Sequence, residues 1–133
     1  MTSALPEGYV DPTDPAAVGA VLEATVASAG LDAVTDLLAR LPGTRTSPAV
    51  PKGFLRPAVP AAVWLGPESC WSCTDPPTLL HVVGGVVLHR AEIHPGDVAE
   101  ALGRVIADLV RRTGATADAS AVLTAARDVA GGI

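Results

Sequence analysis

The chain has few aromatic residues and few cysteines, no surplus of positive charge, and no run of apolar residues long enough to cross a bilayer. Among its 133 residues the aromatics are Tyr9, Phe54, Trp64 and Trp71, so the interior must be built from Val, Leu and Ala. Such side chains bury less area each, at roughly 25 cal/mol per Å². The formal net charge is −5, which argues against a nucleic-acid binder, since those proteins concentrate cations to displace phosphate counterions. The longest uncharged apolar stretch, around Leu79–Leu88, is too short for a span and is interrupted by Gly84-Gly85. The first residues, Met1-Thr2-Ser3-Ala4-Leu5-Pro6-Glu7, carry neither a basic nor an apolar leader region. A soluble, cytoplasmic protein with no membrane association is expected. Catalytic signatures are missing as well: there is no GxGxxG, P-loop, GxSxG or HExxH.

What is present fits one globular domain over residues 1–133, since the chain is 49% hydrophobic and 17% charged. Residues 1–13 read as a flexible N-terminus. Asp14-Pro15 open a helix carrying Val18, Val21, Leu22, Val26 and Ala29, which Gly30 closes. Asp32 is expected to cap a second helix with Val34, Leu37, Leu38 and Leu41, ended by Pro42-Gly43. The short connection makes the two an antiparallel pair. Residues 42–60 hold five prolines and show no helical or strand period, so they read as an extended connector without secondary structure. This stretch contains no acid, and Arg45, Lys52 and Arg56 leave the rest of the chain at −8. It is either a plain crossing segment or a docking strap with Phe54 and Leu55 as anchors between Lys52 and Arg56.

Ala61–Leu65 reads as a strand. Leu79–Val83 and Val86–Ile93 flank Gly84-Gly85 as a β-hairpin. Asp97 and Glu100 have the spacing of a capping box before a helix with Val98, Leu102, Val105, Ile106 and Leu109, and a last helix follows Asp118. The expected fold is α+β: a helical hairpin, a proline-rich strap, a small three-stranded antiparallel sheet and a C-terminal helix pair.

The only cysteines form Cys70-Trp71-Ser72-Cys73. With His89 and His94 the spacing falls within the range of a Cys2His2 zinc site. Strand geometry opposes it, because His89 and His94, five apart, point to opposite faces and lie roughly 16 Å apart along a strand. Extending a uniform hairpin register places His94 near Asp75, so Cys70, Cys73 and His94 with Asp75 or Asp97 make a smaller possible metal set. A thioredoxin-like redox motif needs a helix behind the second cysteine, and Thr74-Asp75-Pro76-Pro77 blocks one. The plain alternative is two inert thiols. On the hairpin, His81 and Arg90 mark a mixed face suited to a partner or small ligand.

The expected function is a non-enzymatic accessory or assembly protein that contacts a protein partner or itself as a homo-oligomer and needs no cofactor. The alternative is a small zinc-binding or thiol-dependent protein centred on the CxxC loop.

Overall fold

The computed structural model describes residues 8–131. Two helices come first, α1 (Pro15–Ala29) and α2 (Leu31–Arg40). Five strands follow: β1 (Thr44–Ser47), β2 (Ala62–Leu65), β3 (Ser69–Ser72), β4 (Thr78–Val83) and β5 (Val86–Glu92). A single 3₁₀ turn, Pro95–Asp97, leads into α3 (Val98–Thr113), and α4 (Thr116–Gly131) ends the described chain. The class is α+β as expected, but the antiparallel sheet has five strands in the order β1-β2-β3-β4-β5, not three.

The two unexpected strands escaped the sequence for different reasons. β1, Thr44-Arg45-Thr46-Ser47, lies inside the stretch read as structureless, and as an all-polar edge strand it shows no apolar alternation. β3 carries the cysteine motif, and Cys70, Trp71 and Ser72 are all buried, so its two faces do not alternate either. Trp71 lies between Val63 and Leu79 in neighbouring strands and donates its indole N–H to Thr35 Oγ1 of α2 at 3.1 Å.

Of the helices, α2 and α3 lie against the sheet, and α1 and α4 pack on the other helices. Val18, Val21 and Leu22 of α1, Val34, Leu37 and Leu38 of α2, and Leu102, Ile106 and Val110 of α3 enclose a core with Val63, Leu65 and Trp71. α1 and α3 approach closely at Gly103, where an added Cβ would lie 2.8 Å from the Pro15 carbonyl oxygen. Of the segment expected to be flexible, residues 1–7 lie outside the described residues. Val10 and Pro12 are buried, and the Val10 N–H donates to Thr124 Oγ1 of α4 at 3.0 Å.

Helix starts differ in detail from expectation. Asp14 Oδ1 accepts from the Ala16 N–H at 3.0 Å, as a cap should. Asp32 sits in the first turn of α2 and Gly30 holds the cap position. Asp97 makes no capping bond; the imidazole of His94 accepts from the Gly96 N–H instead, at 3.0 Å. The turn at Gly84-Gly85 has φ of 59° and 81°, as a two-residue primed turn requires. Beyond it the register is not uniform. Val82 pairs with Val87, but His81 pairs with His89, which leaves Leu88 as the extra residue of a β-bulge. Hence His81 faces His89 and not Leu88, Leu80 faces Arg90 and not His89, and Ile93 rather than His94 meets the loop, donating to the Pro77 carbonyl at 2.8 Å.

Candidate functional site

The strap is the least expected local structure. After β1 the chain leaves the sheet as a narrow two-legged arm and returns to start β2. Val50 and Val59 exchange two backbone hydrogen bonds of 2.8 and 2.9 Å, and Gly53 and Arg56 exchange two more, of 3.1 and 3.2 Å. The prolines at 51 and 57 remove donors from the legs, so these bridges stay isolated and no continuous ladder forms. Phe54 and Leu55 form the turn at the tip and are 95% and 90% exposed. Leu55 has φ of 65°, the one positive φ outside glycine among the described residues. A leucine there carries a steric cost of about 1–2 kcal/mol that glycine would not. Lys52 and Arg56 flank the tip, and every residue from Pro48 to Ala61 is exposed.

The arm leans towards the base of the β4–β5 hairpin. Between them lies a cleft of about 670 Å³, lined on the arm by Val50 and Val59 and on the body by Thr74, Asp75, Arg90 and Glu92. Asp75 and Arg90, singled out for separate reasons in the sequence, therefore border one site together with the arm. His81 belongs elsewhere: it lines a second cleft of about 350 Å³ with Glu68, Asp108 and Arg112 at the C-terminal part of α3.

The cysteines sit on either side of the sheet, because a separation of three residues along an extended chain is odd. Cys70 pairs with Trp64 and Leu80 and is 4% exposed. The Arg45 guanidinium lies over the Trp64 ring on this side, 4.7 Å from its centroid, a cation–π contact. Cys73 packs against the core side, and its thiol donates to Asp32 Oδ1 at 3.6 Å. Burial pushes the Cys70 thiol above its ordinary range, partly offset by Arg45. Burial also raises that of Cys73, with Thr35 opposing and Asp32 reinforcing the rise. Both cysteines are free thiols. His94 is exposed with its ring engaged at Gly96, and Asp75 is exposed beside the arm, in the loop with the cis Asp75–Pro76 bond. Among the described residues, no three His, Cys, Asp or Glu side chains converge to hold a metal ion. Among the same residues, no helix is long and apolar enough to cross a membrane.

A third exposed feature lies near the hairpin turn, on the strand whose mixed face the sequence marks as suited to a partner or small ligand. Val86, Val87 and Leu88 are 59%, 52% and 61% exposed. No helix packs substantially on β5, which is an edge strand of the sheet. No protein-family profile, curated protein or solved structure matches this chain.

Proposed function

We propose that this protein is a non-enzymatic accessory or assembly factor of the cytoplasm that engages a partner protein through the tip of its arm. The observation carrying the reading is the near-complete exposure of Phe54 and Leu55 at the end of a projecting two-legged arm. Two large apolar side chains held out in water have no stabilising role in the isolated fold. An anchor that fills a partner's pocket gives them one. The strained backbone of Leu55 agrees with this, since such strain gathers where function demands a particular geometry. Lys52 and Arg56 fit a pocket whose rim is acidic and would steer the encounter. The acidic body, in turn, disfavours nucleic acid.

The test is a photo-crosslinking residue placed at position 54 of the full chain in its native cells. A discrete protein adduct is expected, one that weakens when Lys52 and Arg56 are both changed to Glu. With the partner then purified, Phe54→Ala should weaken binding about tenfold or more, the ordinary effect of removing a buried aromatic anchor. The same adducts from a crosslinker at exposed Asp118 on α4 would remove the arm from consideration.

A further inference from the structure

The two edges of the sheet are unlike. β1 is four residues long and is bracketed by Pro42 and Pro48, which cannot donate to another strand. β5 runs for seven residues without a proline, and only Ala91 within it is even half-buried. Among the described residues no strand pairs with its outer side, and the backbone groups that face outward follow from one bond. The Ile93 N–H donates to the Pro77 carbonyl, so Ile93, Ala91 and His89 turn their backbone groups towards β4. Arg90 and Glu92 turn theirs outward.

If this edge pairs antiparallel with itself, only the outward set can exchange hydrogen bonds. Permitted registers then differ by slides of two residues, which move the two-fold centre one residue at a time. A centre on Arg90 sets Arg90 against its own copy, and a centre on Glu92 does the same for Glu92; both oppose like charges. A centre on His89 draws the Leu88 bulge into the ladder. A centre on Ala91 avoids all three faults. Arg90 then lies opposite Glu92 of the second copy, Glu92 opposite Arg90, and each pair exchanges two backbone bonds. Ala91 meets its own copy on the axis as a non-hydrogen-bonded pair, where Cα atoms approach to about 4.5 Å and a methyl group is well accommodated. Arg90 and Glu92 take part in none of the ion pairs among the described residues.

The geometry points to a homodimer in which β5 pairs with β5 of a second copy about a two-fold axis at Ala91, joining two five-stranded sheets into one of ten strands. Charge of one sign would guard this edge; opposite signs two residues apart make it self-complementary. The contact is short, so the dimer is reversible, of micromolar strength. It shares the protein-contact reading of the preceding section but uses none of the arm.

Sedimentation equilibrium of the full chain from roughly 1 to 200 μM tests it. A monomer–dimer equilibrium is expected. Arg90→Glu and Glu92→Arg should each raise the dissociation constant about tenfold or more, since each places like charges opposite one another twice. The double exchange R90E/E92R should restore it to within about threefold of the original. Both residues are exposed, and melting curves of the variants confirm that the fold survives. A chain that stays monomeric throughout, or singles and a double exchange that behave alike, would overturn the proposal. Phe54→Ala leaves the dimer unchanged, so a lost arm adduct with an intact dimer counts against the arm alone, and a monomer with an intact adduct counts against the edge alone.

Discussion

Cys70 and Cys73 show how one motif divides once it is folded. Burial raises both thiols above the ordinary value of 9.0, because the thiolate would be formed among apolar atoms. The thiolate is the reactive species, so both should alkylate more slowly in the native protein than in the urea-unfolded chain at pH 7.5, Cys70 the more slowly of the two. The same shift bears on stability. The folded chain keeps these protons to higher pH than the unfolded chain does. Their contribution is therefore complete below the unfolded value and is lost as pH climbs above 9.0 through the folded values. Urea midpoints should be level from neutrality to about pH 8.5 and decline above, with a smaller decline in Cys70→Ala. An equal decline in that variant would assign the effect to other groups. Mass spectrometry after iodoacetamide pulses reads the first expectation directly.

At the scale of single elements the arm offers the clearest separation of stability from function. Leu55→Gly removes the steric cost of φ 65° and returns part of the gain as unfolded-chain entropy. The fold should be unchanged or up to about 1 kcal/mol more stable, while partner binding weakens because the side chain is gone. A loss of more than about 1 kcal/mol in urea unfolding would mean that Leu55 packs on the body. The elements also differ in how far the sequence disclosed them. α1 and α3 were legible because apolar residues recur at helical spacing and Asp14 and Gly30 mark the ends of α1. The β4–β5 turn was legible because Gly84-Gly85 fits one turn type. The Leu88 bulge was not, since nothing local distinguishes an extra residue in a run of Val and Leu. β1 and β3 were hidden because alternation exists only where one face is wet and the other dry. Of the candidate site, the anchors Phe54 and Leu55 could be named beforehand. Their exposure could not, because only pairing across Val50 and Val59 lifts them off the surface.

On the scale of the whole molecule, the arm stands outside the hydrophobic core. The core is assembled from four helices and the sheet, and none of its residues lies between Pro48 and Ala61. The arm faces the body across the open cleft bordered by Asp75, Arg90 and Glu92. The arm should therefore be removable without loss of the fold. Replacing residues 51–58 by Asn-Gly keeps the mutual hydrogen bonds of Val50 and Val59 and closes them with a two-residue turn that those residues favour. Shortening the loop lowers the entropic cost of closing it by about 1 kcal/mol, which offsets the little apolar surface that the arm covers. The melting temperature should therefore stay within about 4 °C of the parent, with far-ultraviolet dichroism unchanged. The β5-mediated dimer should persist, and the partner contact should vanish. A fall of more than about 10 °C would instead make residues 42–60 a structural strap whose cleft-facing valines close the sheet. Phe54 and Leu55 would then be incidental to a segment retained for stability, and the search for a partner would move to β5 alone.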